Sequence, residues 1–185
     1  MNKSDLRVQK LNERKNLDKE QVFQKSRLVC QNFINSELYK KSDFIMLYKS
    51  IGNEVCTGTL FESILGDKKR VAVPDTLKDG SILPVEVFAD TEYKKGIYNI
   101  PEPIIRKPAD KNEIDALIIP GVAFDRTGNR IGFGAGCYDK FLNGISAIKI
   151  GFCYDMQIID HIDSEPFDIK MDYVISENGI IPTKR

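Results

Sequence analysis

The amino-acid sequence predicts an α/β fold, a three-layer sandwich with a mostly parallel sheet and helices on both faces. Three observations carry that expectation. Apolar runs of strand length recur from residue 44 onward, bounded by glycine, proline or asparagine. Helical spacing precedes them and returns between them, and strands that alternate with helices favour parallel pairing covered on both faces. The 185 residues suffice to bury a core, and no repeat, low-complexity tract or linker divides them, so one domain over 1–185 is expected.

Taken in order, a short helix is predicted from about Ser4 to Asn16. A second begins at Asp18, which fits a capping box with Gln21, while Leu17 and Val22 fit the accompanying hydrophobic staple. Its apolar stripe is Val22, Val29 and Phe33, with Phe23 and Cys30 alongside. Phe44 to Tyr48 reads as a buried strand followed by a turn at Ser50 to Asn53. Asn53 can cap a helix through Leu60 and Ile64 to a stop at Gly66. Arg70 to Val73 is a strand halted by Pro74, and Asp79-Gly80 makes a hairpin-like turn before a strand from Leu83 to Phe88. The proline-rich stretch from Gly96 to Pro108 reads as loop. Further strands are expected at Ala116 to Ile119, Ile148 to Cys153 and Tyr173 to Ser176. Ligands of such a sheet belong at the carboxyl ends of its strands. Tyr48 to Glu54, a glycine-rich loop and the segment after Cys153 all follow strands in this way.

Composition narrows the function. Lys+Arg and Asp+Glu both total 27, so no global basic field marks a nucleic-acid binder. The apolar runs fall short of a membrane span and the N-terminus lacks a signal-peptide core, so a cytoplasmic protein with no membrane partner is expected. The single histidine, His161, lies in a polar, acidic stretch, which argues against a His-rich zinc site or a Ser-His-Asp triad. Cys30, Cys56, Cys137 and Cys153 lack metal spacing and are expected to be free thiols, with Cys30 and Cys153 in the core.

The most telling segment runs from Pro120 to Asp139. It follows a predicted strand, places four glycines between Gly128 and Gly136, and leads into a helix start at Tyr138 to Leu142. Strand, glycine loop and helix bring backbone N–H groups and a helix N-terminus to an anion. No GxxxxGK[ST] occurs, and Gly132-x-Gly134-x-Gly136 lacks the dinucleotide spacing. The glycines alone fit a tight turn as well as a phosphate cradle. Arg130 favours the cradle, because a guanidinium can fork onto phosphate oxygens. Asp139 suits a phosphate site only with a cation between them, which points to a nucleotide with a metal.

The pattern Pro120-Gly121-x-Ala123-Phe124-Asp125, then Gly128-Asn129-Arg130-x-Gly132-x-Gly134-x-Gly136-x-Tyr138-Asp139, closely resembles the signature of the 5-formyltetrahydrofolate cyclo-ligase family. Weaker pieces of the same pattern follow its order. They are Lys3-x-x-Leu6-Arg7, Tyr48 followed by Glu54-Val55, Gly96-x-Tyr98-x-Ile100-x-Glu102-Pro103, and Asp168-x-x-x-Asp172. The resemblance spans essentially the whole chain. It implies a Rossmann-like enzyme that uses ATP and Mg²⁺ to convert 5-formyltetrahydrofolate to 5,10-methenyltetrahydrofolate; a monomer is expected. It places ATP contacts on Lys3, Ser4, Asp5, Leu6 and Arg7, and on Arg130, Ile131, Gly132, Phe133, Gly134, Ala135, Gly136, Cys137 and Tyr138. Arg130 and Tyr138 are its catalytic residues. Folate contacts fall on Tyr48, Lys49, Glu54, Tyr98 and the Phe133 to Cys137 stretch, and Mg²⁺ ligands on Asp139 and Asp168.

Each assignment has a plain chemical sense and a plain alternative. Lys3 and Arg7 are four apart, so one helix face presents both; a solvated charged helix fits the spacing equally. A flat pterin suits an aromatic face, such as Tyr98, and one carboxylate on its edge, Glu54. Helix-start charge and core packing would otherwise account for Glu54 and the tyrosines. Asp139 could cap its helix, and Asp168 could lie in a surface turn. Lys49, Lys68, Lys69 and Arg70 could meet the folate glutamate tail or face water.

Two positions depart from the family pattern. Cys137 stands where members commonly have the first of two tyrosines, and Ala135 where many have a basic residue or glycine. Ala135 adds a Cβ where the backbone must bend. Cys137 motivates an alternative reading, a folate-binding or buffering protein with little turnover; a different ATP-dependent transferase is a third.

Overall fold

The computed structural model describes residues 2–96 and 100–183. Its helices are α1 (Lys3–Lys15), α2 (Lys19–Ile34), α3 (Glu37–Lys40), α4 (Gly58–Gly66) and α5 (Cys137–Leu142). Its strands are β1 (Phe44–Leu47), β2 (Arg70–Thr76), β3 (Ile82–Val87), β4 (Tyr93–Lys95), β5 (Pro101–Pro103), β6 (Ala116–Pro120), β7 (Ala123–Asp125), β8 (Arg130–Ile131), β9 (Ile148–Phe152), β10 (Ile158–Ile159), β11 (Tyr173–Ser176) and β12 (Gly179–Pro182). A seven-stranded sheet in the order β12-β11-β9-β6-β1-β2-β3 forms the centre. Its five inner strands are parallel, and β3 and β12 close the edges antiparallel.

The sheet is buried on both faces, as strands of period two and continuous apolar character require. Ile45, Leu47, Val71, Val73, Ala116, Ile118, Ile150 and Phe152 share a core with Val29, Cys30 and Phe33 of α2 and Leu60 and Ile64 of α4. The alternate residues Phe44, Met46, Ala72, Leu117, Ile119 and Val174 pack with Phe141 and Leu142 of α5 and with Phe124 of β7. The predicted layering is therefore present. Gly151 belongs to this packing, because a Cβ there would run into the Phe124 ring. Helix α1 packs Leu6 and Leu11 against Val122, Ala123, Ile131 and Ile162, which brings its first turns beside the glycine segment.

Of the two expected caps, one is present. The Asp18/Gln21 capping box of α2 is present, with both reciprocal hydrogen bonds. The α2 stripe is buried at Ser26, Val29, Cys30 and Phe33, but Phe23 is exposed, since the helix meets the core over its C-terminal half. Asn53 is not a cap. Helix α4 begins after Thr57, and the Asn53 amide instead donates to the Arg14 and Leu17 carbonyls at 3.2 and 2.9 Å.

Pro74 does not halt β2. Pairing with β1 ends at Ala72, and Pro74 faces Pro84 across the antiparallel edge, a position that needs no N–H on either side. The Gly96 to Pro108 stretch is not all loop, for β5 pairs with β4. The Pro120 to Asp139 segment is likewise not one loop: a hairpin, β7 and β8, stands between β6 and the glycines. Helix α3 and strand β12 had no strong sequence signal. No helix among the described residues is long and apolar enough to cross a membrane.

Candidate active site

The β7–β8 hairpin is shaped by one buried carboxylate. Asp125 Oδ1 accepts from Thr127 N at 2.9 Å, Thr127 Oγ1 at 2.8 Å and Asn129 N at 3.0 Å. Its Oδ2 accepts from Asn129 Nδ2 at 2.8 Å and Ile162 N at 3.0 Å. Burial pushes this carboxyl upward, but the hydrogen bonds outweigh it and hold the pKa below the usual range. Gln157 braces the opposite side, donating to the Gly121 and Val122 carbonyls at 3.0 and 2.9 Å. The start of the segment after Cys153 is thus used for support, whereas its later residues Glu165, Phe167 and Asp168 line the cleft.

Arg130 leaves the hairpin as a buried guanidinium, 9 % exposed. Its Nη2 lies 3.0 Å from Asp139 Oδ1, its Nη1 donates to the Pro120 carbonyl at 3.4 Å, and its Nε has no partner. Beyond it the chain turns through Gly134, at φ 107°, and Gly136, at φ 66°, two left-handed positions that favour glycine. Ala135 between them is not left-handed, so its Cβ does not carry the predicted strain. Gly136 precedes α5, whose six residues make a weak macrodipole. Any anion field here comes from the side-chain cations and the loop N–H groups.

A cleft of about 490 Å³ opens here, at the carboxyl ends of β1, β2 and β6. Lys3 and Arg7 of α1 both reach it. Arg7 Nε donates to the Gly132 carbonyl at 2.8 Å. Lys3 Nζ lies 2.6 Å from Asp168 Oδ2 and 3.4 Å from Glu165 Oε2. Burial lowers the Lys3 pKa, but Asp168 and then Glu165 more than reverse this and leave it raised. Burial alone would raise Asp168; its bonds from Lys3 and from the Glu165 N–H hold it low instead.

Glu54 contributes a second kind of carboxylate. It is 5 % exposed, lines the cleft, and accepts from Ile51 N at 2.9 Å. Burial raises its pKa, opposed by that N–H and by the charge of Arg14. Lys49 lies 4.2 Å from the Tyr93 ring centroid and 4.7 Å from that of Phe61, and burial lowers its pKa. Tyr48 lies at the cleft floor with its hydroxyl committed to the Val55 carbonyl, 2.8 Å away. Tyr138 lines the cleft with its ring 5.6 Å from the Arg130 guanidinium, and burial raises its phenol.

The cleft therefore gathers Lys3, Arg7, Tyr48, Lys49, Glu54, Arg130 through Asp139, and Asp168. Ser4 and Asp5 are exposed and Leu6 packs into an apolar cluster, so these three do not line it. Lys68, Lys69 and Arg70 also lie elsewhere; Arg70, for instance, pairs with Glu86 and Glu113. Tyr98 falls outside the described residues. His161 is exposed beside Asp163 at 3.0 Å, and Cys30 and Cys153 are buried thiols.

Glu165 and Phe167 line the cleft without having been singled out, and Glu102, which stands in the family pattern, lines it as well. Glu102 had a signal in Gly96, because a Cβ at that glycine would run into its carboxyl group. It lies 3.8 Å from Arg106, which also pairs with the buried Asp75.

The carboxylates of Asp139 and Asp168 suit a cation that also binds phosphate. Ile169, next to Asp168, has its N–H 3.4 Å from Asp139 Oδ1, so the two acids are neighbours. The described residues hold no group of three or more His, Cys, Asp or Glu able to cage an ion. Two neighbouring carboxylates are a donor set that Mg²⁺ takes when it retains water and substrate oxygens.

The model of the 5-formyltetrahydrofolate cyclo-ligase family matches residues 1–177. A 5-formyltetrahydrofolate cyclo-ligase of Haemophilus influenzae is 31 % identical over 165 residues, covering 85 % of this chain and 88 % of its own. Its counterpart in Mycoplasma pneumoniae is 31 % identical over 183 residues, covering 96 % and 99 %. The solution structure of Aquifex aeolicus 5,10-methenyltetrahydrofolate synthetase superposes with a TM-score of 0.90 at 30 % identity, covering 100 % of this chain and 94 % of that one. Signature, cleft and whole-chain likeness agree: the chain belongs to the 5-formyltetrahydrofolate cyclo-ligase family.

Proposed function

We propose that this protein converts 5-formyltetrahydrofolate to 5,10-methenyltetrahydrofolate in an ATP- and Mg²⁺-dependent reaction that releases ADP and phosphate. The observation that carries the reading is a single cleft holding both Lys3, Arg7 and Arg130 around a glycine loop and the buried carboxylate of Glu54. The N5 formyl group is an amide and a poor electrophile. Transfer of the γ-phosphoryl group to its oxygen gives an iminium phosphate; N10 attacks that carbon, and loss of phosphate leaves the methenyl bridge. Such a sequence asks the protein for positioning and charge neutralisation rather than for a protein nucleophile.

In this reading Lys3, Arg7, Arg130 and the loop N–H groups bind phosphate oxygens. Lys3 and Arg130 are held by Asp168 and Asp139 in the ligand-free chain, so phosphate would compete for charges already in place. Mg²⁺ held by Asp139 and Asp168 would supply further neutralisation of the phosphates. Glu54 orients the pterin edge, Lys49 lies over its aromatic neighbours beside it, and Tyr138 with Arg130 faces the reacting groups. Cys137 favours the second reading, a folate-binding protein with little turnover. Product stoichiometry separates them: the enzyme gives one ADP per methenyltetrahydrofolate formed, whereas tight folate binding without ADP release would leave only the binding protein.

A further inference from the structure

Arg14 is 7 % exposed, yet among the described residues its guanidinium has no carboxylate within ion-pair distance and no hydrogen-bond acceptor. Its nitrogens are not fully enclosed, unlike the Nε of Arg130, so its ring and charge neighbours decide its role. They belong to the cleft. The guanidinium carbon lies 5.7 Å from the centroid of the Phe133 ring, and Phe133 is the half-exposed aromatic of the glycine loop. The Arg14 carbonyl accepts from Asn53, directly before Glu54, at 3.2 Å. Tyr48 and Tyr138 feel the charge of Glu54, and burial raises both, so they face it as neutral phenols. Tyr154 also donates its hydroxyl to the Glu54 carbonyl at 3.0 Å. Arg14 is thus the cation whose charge acts on Glu54.

The helical repeat explains how one residue comes to lie beside Phe133 and next to the Asn53–Glu54 turn. Lys3, Arg7 and Arg14 stand at i, i+4 and i+11, which a 3.6-residue period places on one stripe of α1. Lys10 shares the stripe but is committed to the Met156 carbonyl at 2.7 Å and to Glu13 at 2.8 Å. We propose that Arg14 is a positioning residue, whose guanidinium holds Phe133, and with it the glycine loop, in register with Glu54. It rests on the proposed function, in which that loop meets ATP and Glu54 meets the folate. α1 would then set the nucleotide and folate parts of the cleft together, with Lys3 and Arg7 touching ligand and Arg14 touching neither.

The test is equilibrium binding of ATP and of 5-formyltetrahydrofolate by calorimetry, beside thermal unfolding, for Arg14→Met, Arg14→Lys, Phe133→Leu and Glu54→Gln. Arg14→Met removes a charge that has no ion pair to lose and keeps an apolar stem of similar length, so its Tm should stay close to that of the parent. Its folate and ATP affinities should nonetheless each fall about tenfold, as expected for losing support from one charged contact. Arg14→Lys should recover part of the folate loss by restoring the charge. Double-mutant cycles should be non-additive, with Glu54→Gln for folate and with Phe133→Leu for ATP. A lowered Tm with both affinities unchanged, or additive cycles, would overturn the proposal. A parent chain that binds both ligands but forms no product would sink the proposed reaction and still report on Arg14; one that binds neither would overturn both.

Discussion

Residues 121–131 and 132–139 adjoin in sequence and differ in kind. In the first stretch every residue except Arg126 and Thr127 is buried, and its acid, Asp125, is saturated by hydrogen bonds from its own hairpin and from Ile162. In the second, Phe133 to Gly136 are exposed and the whole stretch lines the cleft. Arg130 joins the two, rooted in the hairpin and paired with Asp139 of α5. A signature therefore mixes residues that shape the chain with residues that face the ligand, and residue type does not separate them. Two aspartates fourteen apart, Asp125 and Asp139, fall on opposite sides of that division.

The largest expected effect breaks the first half. Asp125→Ala strands several buried N–H groups and should cost roughly 3–5 kcal/mol of stability in denaturant unfolding. An unchanged unfolding midpoint would show that the hairpin does not depend on it. Next comes the residue at the join. Arg130→Ala should lower kcat/KM about a hundredfold, or ~3 kcal/mol, with a circular dichroism spectrum like that of the parent. A loss of fold equal to that of Asp125→Ala would place Arg130 with the shaping residues. In the second half, Asp139→Asn should raise the Mg²⁺ needed for half-maximal rate about tenfold, and an unchanged titration would reject Asp139 as a ligand.

A pH profile sharpens the contrast between the carboxylates. Burial raises Glu54, and Ile51 N–H with Arg14 offsets this only in part. If ionised Glu54 binds the pterin, folate KM should rise as pH falls through a pKa above the usual glutamate range, and Glu54→Gln should remove that limb. The folded chain holds this proton more tightly than the unfolded one. The stability that Glu54 contributes is therefore full at low pH and lost as pH rises through its folded pKa. Asp168, held low by Lys3, behaves oppositely: its contribution is present above the ordinary carboxyl value and lost as pH falls through the folded one. The smallest effect belongs to Ala135→Gly, which should change stability by no more than about 1 kcal/mol because Ala135 has no left-handed φ to relieve.

What could be read from sequence was local or periodic. The Asp18/Gln21 box, the buried strands and the Asp79-Gly80 turn each depend on residues within a few positions, and the hydrophobic period places them. Asn53 was misread because its side chain is used by a distant partner, the end of α1, which competes with helix capping. The β7–β8 hairpin was hidden because its turn is built by Asp125, Thr127 and Asn129 rather than by a two-residue glycine turn. In the cleft, Arg130 was legible from its place beside the glycines, whereas Glu54 and Asp168 came from the family pattern; charge and spacing alone left those two with a structural alternative. Arg14 carried no such signal, since what distinguishes it is its place beside Phe133 and the Asn53–Glu54 turn, which only the folded chain reveals.

The most direct measurement is the absorbance of methenyltetrahydrofolate when the protein is mixed with 5-formyltetrahydrofolate, ATP and Mg²⁺. A rise that requires ATP, is matched by ADP, and falls about a hundredfold in Arg130→Ala is the expected result. A folded protein that gives no ATP-dependent rise would contradict it.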